Sequence, residues 1–577
     1  MSASEEARAG LEEARRLRGS GQPLHARSVL VRGLALWPDD AGFNRELGSL
    51  LLELGELEQA QHVLRRSTVL EPEAAEPWVM LATVFHRTGR PAEERGALEE
   101  ARRRSASAAP TVEEGVAAMR AGQPGLAAEL LRAALAHEAG NEGGWLALGS
   151  VLEMLEDHSG SVAALAEGAE RLPASVRLHE ELASRAERAG QLEVARRAAT
   201  AALRLDGGSA VALRVLGALE LRAGAAGAAE GLLRLAIQRL SGGPELRAAQ
   251  RLLGQALDQL GRCEEAFEAF SAARLRDVPA DRRALAERFE GFVREGMGLT
   301  AEEVARWPSG VSVSASVGER RTPAFIVGFP RSGTTLLERL LGAHPEVAIT
   351  DELPTLENAA YAVMRRRPGS LWGALAGPDD EALRAGLEAY WSLIRRRMKP
   401  APEATRFVLD RAPSQLPYLP VARRLFDGPR VLMCLRDPRD VVLSCFMMLD
   451  NRPTSAVQYA TLESAARHYA LRLDLWLRFR EVLGLRWMEV RYEDVVRDAG
   501  GVCRDVLEFL GLEWHGAIEA AVAKGAGGPV RSQSFRQVAQ PVYTRAVERW
   551  RRYQKHFGGA LEVLEPYALR FGYASGV

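Results

Sequence analysis

Residues 322–341 read TPAFIVGFPRSGTTLLERLL, and this stretch decides the fold of the second half of the chain. An apolar, β-branched run typical of a buried parallel strand passes through Gly328 and Gly333 into a helical pattern. Strand, glycine-rich loop and helix in this order predict an anion-binding loop, because backbone amides at the helix N-terminus point at a bound phosphate or sulfate. The spacing matches the nucleotide triphosphatase pattern GxxxxGK(S/T), but Thr334 replaces the lysine that reaches the outer phosphates. The loop therefore predicts an anion site, with kinase-like use of ATP as the weaker alternative.

A second strand-to-helix junction follows at residues 429–444, PRVLMCLRDPRDVVLS. Arg436 comes directly after the strand pattern, and Ser444 lies in the helical run that follows it. Since parallel sheets bind ligands at the carboxyl ends of their strands, both side chains are predicted to bind one anion. A surface ion pair of Arg436 with Asp440 is the alternative. The two motifs together favour a ligand that carries anionic groups at two places.

The N-terminal half of the chain repeats a helix-pair pattern every 33–34 residues. The turn within each pair is marked by Gly21, Gly55, Gly89, Gly122, Gly190 and Gly224, with Glu156 at the skipped step and Gly261 as a late copy. A small residue follows five positions after the marker, at Ala26, Ala60, Ala127, Ala195, Ala229 and Ala266. Each pair is too small to bury its own apolar face, so the period predicts stacked antiparallel helices that share a continuous core.

Charge and composition narrow the classes of partner and compartment. Lys and Arg total 75 against 76 Asp and Glu, which gives no electrostatic support for binding nucleic acid or an anionic membrane. The 4 cysteines are too scattered for a disulfide framework or a metal site, and no motif requires a metal. The acidic start lacks an apolar h-region, and charges interrupt every apolar run well before about 18 residues. These features predict a soluble, cytoplasmic protein.

The two halves resemble two known families. The helix pairs resemble tetratricopeptide repeats over residues 8–275, and residues 321–577 resemble sulfotransferases, especially the tyrosylprotein sulfotransferases. Residues 276–320, where the period fails, read as a linker. The resemblance implies an all-α tetratricopeptide solenoid followed by a P-loop-like, three-layer α/β domain with a central parallel sheet.

The sulfotransferase resemblance implies binding of 3′-phosphoadenosine 5′-phosphosulfate, the sulfuryl donor of that family. The residues that would hold its 5′-phosphosulfate are Arg331, Ser332, Gly333, Thr334 and Thr335. Arg436, Ser444 and Arg549 would hold its 3′-phosphate. Tyr492 would contact the adenine, with packing in the protein core as the alternative for this ring.

The resemblance also supplies candidate catalytic residues. Glu352 matches the catalytic glutamate of tyrosylprotein sulfotransferases, with the adjacent Asp351 as its competitor for the role of general base. Arg411 stands where the family has a lysine that assists the leaving group. Arginine keeps the positive charge but cannot give up a proton, so only electrostatic assistance is expected. Ser534 and Arg331 would complete the catalytic set.

These assignments imply transfer of a sulfuryl group to an acceptor hydroxyl. The segment around Glu352 favours a tyrosine of a peptide or protein, which the repeats would help to recruit. One alternative is a saccharide, lipid or small-molecule acceptor. Another is a nucleotide-binding repeat scaffold with weak catalysis, because Arg411 and Arg549 replace lysines of the family. If the repeats do not recruit the acceptor, they would act as a scaffold or dimerisation arm. The sequence leaves the oligomeric state open.

Overall fold

The computed structural model describes residues 3–20, 22–107, 110–120, 122–274, 278–307, 321–350, 352–378, 381–398, 404–448, 454–524 and 546–575. The chain forms two compact units, Met1–Leu252 and Leu253–Val577. Within the described residues, no helix combines the length and the apolar character that a bilayer-spanning segment requires.

The first unit is built from helices that pack as consecutive pairs. The helices that begin in it are Ala3–Gly19, Pro23–Leu36, Ala41–Leu54, Leu57–Leu70, Glu76–Arg87, Pro91–Ser107, Val112–Arg120, Pro124–His137, Glu142–Met154, His158–Arg171, Val176–Arg188, Leu192–Leu205, Ala210–Arg222, Ala226–Arg239 and Gly243–Gln259. This arrangement confirms the predicted helical solenoid.

The residues that marked the repeat in the sequence lie in left-handed turns. Gly55 and Gly224 have φ angles of 79° and 80°, a backbone conformation that costs glycine nothing. Glu156, at the step without a glycine, has a φ of 60° in the same kind of turn. The predicted small residues all have 0% exposure: Ala26, Ala60, Ala127, Ala195, Ala229 and Ala266. The sequence period therefore marks both the left-handed turn and the tight contact between helices. Gly21, the first marker, lies outside the described residues.

The second unit contains a sheet whose described strands run parallel. They are β1 (Thr322–Gly328), β2 (Val347–Ile349), β3 (Phe407–Arg411), β4 (Arg430–Leu435) and β5 (Arg486–Arg491). Their order across the sheet is β2-β3-β1-β4-β5, and every neighbouring pair is parallel. The glycine-rich loop follows the central strand, so the loops after β3 and β4 flank it at the carboxyl edge.

Helices cover both faces of this sheet. The α-helices are Cys263–Ala272, Ala280–Met297, Ala301–Ala305, Thr334–Leu341, Thr355–Arg366, Leu371–Ala376, Glu381–Arg397, Leu419–Leu425, Pro438–Met447, Ser455–Gln458, Leu462–Val482, Tyr492–Arg497, Ala499–Leu510, Gly516–Lys524 and Ala560–Arg570. The 3₁₀ helices are Pro413–Tyr418 and Arg549–His556. On one face Ile326 packs with Leu340 and Leu507, and on the other Phe325 meets the ring of Tyr390. The predicted three-layer α/β domain with a central parallel sheet is confirmed.

The stretch that the sequence assigned to a linker, 276–320, contains two helices of the second unit. The longer one, Ala280–Met297, contacts the helix Leu462–Val482 through Gly296. A Cβ on Gly296 would lie 3.2 Å from side-chain atoms of Leu475 and Trp372. This part of the stretch is therefore packed structure, which the loss of the repeat period alone did not reveal.

Candidate active site

The loop after β1 approaches its neighbours too closely for side chains at its two glycines. A Cβ on Gly333 would lie 2.7 Å from Cδ2 of Tyr492, and one on Gly328 would lie 2.7 Å from the Cys434 carbonyl oxygen. Gly333 also has a φ of 94° at the N-cap of the helix Thr334–Leu341. The close turn leaves the amides at the start of this helix in the position that binds anions at helix N-termini.

The remaining loop residues contribute side chains around this turn. Ser332 is buried, and its hydroxyl donates to the carbonyl of Phe329 at 2.7 Å. Thr334 and Thr335 are also buried at the first positions of the helix. The three hydroxyls therefore lie within the loop and helix start that the sequence assigned to phosphosulfate binding.

Arg331 connects the loop after β1 to the loop and helix after β4. It is a non-glycine residue with a φ of 74°, a conformation that costs about 1 kcal/mol. Its Nε donates to Oγ of Ser444 at 3.1 Å, and its carbonyl accepts from Nη1 of Arg436 at 3.0 Å. The structure therefore brings together the three side chains that the two sequence motifs assigned to anion binding.

Arg436 is buried and has an N–H left for a ligand. Its guanidinium lies 4.8 Å from the ring centroid of Tyr492, and its Nη2 donates to the Ala546 carbonyl at 2.6 Å. Its Nε is buried without a hydrogen-bond partner among the described residues. A buried donor in this state costs about 1–3 kcal/mol, which an anionic oxygen would offset. The residues present therefore fit a bound phosphate group.

The alternative for Arg436, an ion pair with Asp440 at the protein surface, is wrong in its location, because the two residues are buried. The closest nitrogen–oxygen distance is 4.0 Å, and both side chains are buried. Burial raises the pKa of Asp440 to about 6, against the lowering effect of Arg436. Asp440 also accepts a hydrogen bond from the backbone N–H of Trp550 at 2.8 Å. Its carboxylate thus holds the C-terminal 3₁₀ helix next to the loop that carries Arg436.

The candidate base and the arginine of β3 form an ion pair at the same edge of the sheet. Oε1 of Glu352 lies 2.9 Å from Nη1 of Arg411. The Arg411 side chain is 0% exposed, whereas that of Glu352 is 43% exposed. Glu352 has a φ of 68°, and Asp351, its competitor in the sequence, lies outside the described residues. The carboxylate therefore faces solvent at one end and a buried cation at the other.

Glu338 is a residue of this site that sequence reasoning missed. Its Oε2 lies 2.6 Å from Nε of Arg411, and both side chains are 0% exposed. Glu338 lies on the helix that begins at the glycine-rich loop, so the ion pair joins that helix to the end of β3. The signal in the sequence was a charged residue among the leucines of LLERLL, on the face that includes Leu337 and Leu341.

A buried network around Asp410 holds the segment that carries Glu352. The Asp410 carboxylate accepts hydrogen bonds from the hydroxyls of Thr350, Thr355 and Tyr390 and from the amide of Gln415. Thr350 and Thr355 bracket Glu352 in the sequence. Burial raises the pKa of Asp410 to about 6, while these donors act in the opposite direction. The network therefore fixes both ends of the segment in which Glu352 adopts a positive φ.

The structure describes the positions of two of the three C-terminal candidate residues. Tyr492 begins the helix after β5, and its ring lies against Gly333 and beneath Arg436. Arg549 begins the C-terminal 3₁₀ helix and forms an ion pair with Asp258, with 2.8 Å between Nη2 and Oδ2. Ser534 lies outside the described residues.

Comparison with protein families confirms both resemblances found in the sequence. Residues 323–516 match the model of the sulfotransferase family, and residues 45–109 and 112–176 match the model of the tetratricopeptide repeat. Part of each compact unit is therefore similar to a known family, the first unit to tetratricopeptide repeats and the second to sulfotransferases.

Individual proteins are similar to parts of the chain. Protein-tyrosine sulfotransferase 1 of Danio rerio is 29% identical over 242 residues, which cover 39% of this chain and 64% of that protein. An uncharacterized protein of Aquifex aeolicus is 26% identical over 261 residues, which cover 42% of this chain and 32% of that protein. The solved sulfotransferase domain of a Synechococcus olefin synthase is 22% identical, with a TM-score of 0.30, over 44% of this chain and 96% of that domain. The matched part of the chain spans less than two thirds of the length of the Danio rerio and Aquifex aeolicus proteins.

Proposed function

Because residues 323–516 match the sulfotransferase family, we propose that residues 321–577 transfer a sulfuryl group from 3′-phosphoadenosine 5′-phosphosulfate to an acceptor hydroxyl. The observation that carries this proposal is the meeting of Arg331, Ser444 and Arg436 beside the glycine-rich loop. Two strand ends contribute cationic donors there, which suits a nucleotide with anionic groups at both its 3′ and 5′ positions.

We assign the residues of this site to three parts of the nucleotide. Arg331 and the amides and hydroxyls of residues 332–335 bind the 5′-phosphosulfate. Arg436, Ser444 and Arg549 bind the 3′-phosphate. The ring of Tyr492, between Gly333 and the Arg436 guanidinium, is proposed to contact the adenine. No metal takes part in this scheme, because guanidinium groups and helix amides supply the positive charge.

The base and cation required for transfer are assigned to the second ion pair. Glu352 accepts the proton of the acceptor hydroxyl while the acceptor oxygen forms a bond to sulfur and the bond from sulfur to the phosphate oxygen breaks. The products are a sulfate ester and adenosine 3′,5′-bisphosphate. Arg411 stabilises negative charge on the phosphate that leaves and keeps its own proton. The role of Ser534 as a contact to the reacting group stays a prediction from the resemblance.

We propose a tyrosine of a peptide or protein as the acceptor. The 43% exposure of the Glu352 side chain supports this choice, since an acceptor attached to a large molecule must reach the base from solvent. The similarity to a protein-tyrosine sulfotransferase supports it independently. The repeats, residues 8–275, are proposed to recruit the protein acceptor.

An assay with labelled donor tests the proposal. The chain is incubated with 3′-phosphoadenosine 5′-[³⁵S]phosphosulfate and equal amounts of tyrosyl peptides, glycans and small phenols. We expect label on tyrosine and release of many equivalents of adenosine 3′,5′-bisphosphate per chain. Label on glycans or small phenols alone would replace the tyrosine acceptor, and no transfer to any acceptor would contradict the enzymatic proposal.

A second candidate is a nucleotide-binding repeat protein that does not turn over the donor. Arg411 favours it, because its charge is already compensated by the carboxylates of Glu338 and Glu352. This candidate predicts binding of adenosine 3′,5′-bisphosphate by calorimetry with no bisphosphate release from the intact donor. Multiple-turnover release would exclude it.

A further inference from the structure

The last copy of the repeat pattern belongs to the second compact unit. We call residues 253–274 the terminal hairpin, because they comprise the end of the helix Gly243–Gln259 and the helix Cys263–Ala272. The turn between these helices contains the repeat marker Gly261, with a φ of 78°. The hairpin therefore has the geometry of a repeat but packs within the unit that contains the parallel sheet.

One carboxylate of the terminal hairpin contacts three side chains of the C-terminal 3₁₀ helix. Oδ2 of Asp258 lies 2.8 Å from Nη2 of Arg549, and its Oδ1 lies 3.2 Å from Nη2 of Arg552. The hydroxyl of Tyr553 donates to the same Oδ1 at 2.6 Å. The Asp258 side chain is 13% exposed, so these charge-assisted contacts are only weakly screened by solvent.

Arg549 lies on the chain between two contacts with the proposed donor site. The Ala546 carbonyl accepts from Arg436, and the backbone N–H of Trp550 donates to Asp440. Nε of Arg549 is buried without a hydrogen-bond partner among the described residues. Asp258 therefore fixes one edge of this guanidinium, while the Nε–H, which has no partner among the described residues, can donate to an anionic oxygen.

The same hairpin also packs on the helix that carries Ser444. Nη2 of Arg274 donates to the carbonyls of Cys445 at 3.3 Å and Met448 at 2.7 Å, at the end of that helix. The ring of Phe267 stacks on Phe446, with 5.2 Å between centroids. The terminal hairpin thus contacts both segments that supply proposed 3′-phosphate ligands.

We propose that Asp258 is a positioning residue for the 3′-phosphate of the donor, acting through Arg549. A free arginine side chain samples many rotamers, and its ordering weakens binding unless the apoprotein already holds it in place. By fixing Arg549 before the ligand arrives, Asp258 avoids the entropy cost of ordering this side chain on binding. This inference rests on the proposed function, since it concerns the same donor.

Calorimetry with two nucleotides tests the inference. Asp258→Asn should weaken binding of adenosine 3′,5′-bisphosphate about tenfold and leave binding of adenosine 5′-monophosphate unchanged. The comparison isolates the 3′-phosphate, because loss of general structure would weaken both ligands. Arg549→Ala should weaken bisphosphate binding by at least as much, and adding Asp258→Asn to it should have no further effect, because the two residues act as one unit.

A second carboxylate of the hairpin provides the matched control. Glu264 pairs with Lys555 at 2.8 Å and His556 at 3.2 Å, on the same 3₁₀ helix as Arg549. Glu264→Gln should leave the ratio of the two affinities unchanged. Unchanged or tighter bisphosphate binding by Asp258→Asn, or an equal loss for both nucleotides, would overturn the positioning role. If the unaltered chain bound neither nucleotide, the proposed function would fail and the inference with it.

Discussion

Glu352 differs from the other carboxylates at the carboxyl edge of the sheet in its access to solvent. Glu338 and Asp410 are buried. Arg411 pairs with Glu338, and hydroxyl and amide groups donate to Asp410. Glu352 is held at one oxygen by Arg411 and is 43% exposed. A general base must reach a proton that arrives on another molecule, so among these three only Glu352 has a suitable environment.

Replacing Glu352 should remove catalysis and spare donor binding. Glu352→Gln keeps the shape of the side chain but cannot accept a proton, so we expect turnover to fall about 10²–10⁴-fold. The dissociation constant for adenosine 3′,5′-bisphosphate should change little. Glu346→Gln is the control, because Glu346 precedes β2 and pairs with Arg406 at the opposite end of the strand. Full activity of Glu352→Gln in a radiolabelled-donor assay would remove the assignment.

The buried pair of Arg411 and Glu338 allows stability to be separated from activity. Arg411→Met removes the cation that faces the buried Glu338 carboxylate, which should lower the free energy of unfolding by about 3–5 kcal/mol. In the double variant Arg411→Met with Glu338→Met, apolar side chains replace both charges, and much of the stability should return. Both variants should be inactive, because neither has a cation beside Glu352. Denaturant unfolding and donor turnover check this, and a double variant with wild-type activity would contradict it.

Asp410 should make the stability of the fold depend on pH in a specific window. Its pKa is raised from 3.8 to about 6, so the folded state keeps the proton over a range in which the unfolded state has lost it. Stability from this group is therefore present below about pH 4 and decreases as pH rises to about 6. Asp410→Asn lacks this titration. Unfolding free energies measured from pH 4 to 7 should show the wild type losing about 2–3 kcal/mol relative to the variant, and parallel curves would contradict the expectation.

At the scale of elements, the loop after β1 depends on glycine for two separable reasons. Gly333→Ala adds backbone strain at a φ of 94° and a contact of 2.7 Å with Tyr492. Gly511→Ala adds strain at a φ of 70° but meets no described atom within 4 Å of the new Cβ. We expect Gly511→Ala to cost about 1 kcal/mol of stability without affecting donor affinity. Gly333→Ala should also displace Tyr492 and weaken bisphosphate binding at least tenfold, measured by calorimetry, and equal affinities of the two variants would contradict this.

Elements that depend on local pattern could be predicted from the sequence. The repeat markers predicted the left-handed turns at Gly55 and Gly224, and strand-to-loop junctions predicted where Arg331 and Arg436 lie. Each of these features depends on conformational preferences within a few residues, together with the rule that parallel strands bind ligands at their carboxyl ends. Local pattern was therefore sufficient for the helix-pair repeat and for the sheet edge that carries the candidate site, whereas the three-layer arrangement was implied by the family resemblance.

Contacts between distant segments could not be predicted in the same way. Glu338 and Arg411 are 73 residues apart in the sequence, and Asp258 and Arg552 are 294 apart. Any of the many carboxylates in the chain had the right chemistry to pair with these cations, so composition gave no means of choosing among them. The helices within 276–320 were missed for a related reason, since what stabilises them is tertiary packing on Leu475 and Trp372 rather than repetition.

At the scale of the whole molecule, the buried apolar clusters of the two units come from separate parts of the chain. One cluster of the first unit spans residues 75–219 and includes Trp145, and the cluster beneath the sheet spans residues 324–518. Trp145 is buried, and its N–H donates to the Ala139 carbonyl at 2.9 Å, so it serves as core. Hydrophobic stabilisation is proportional to the area buried in each cluster, and a packing defect should act first on the cluster that contains it.

A defect beside Trp145 tests whether stability is local in this sense. A Cβ on Gly168 would lie 2.7 Å from Cγ of Trp145, so Gly168→Ala should destabilise the repeats by about 1–3 kcal/mol through overpacking. Gly231 lies in the helix Ala226–Arg239 with no described atom within 4 Å of an added Cβ, and Gly231→Ala should stabilise that helix by up to about 1 kcal/mol. Hydrogen exchange should show faster opening of residues 142–171 in the first variant only, while both variants bind adenosine 3′,5′-bisphosphate as the wild type does. A weakened bisphosphate affinity in Gly168→Ala would instead mean that the packing of the repeats is coupled to the donor site, because the substitution adds a single methyl group far along the chain from every proposed ligand.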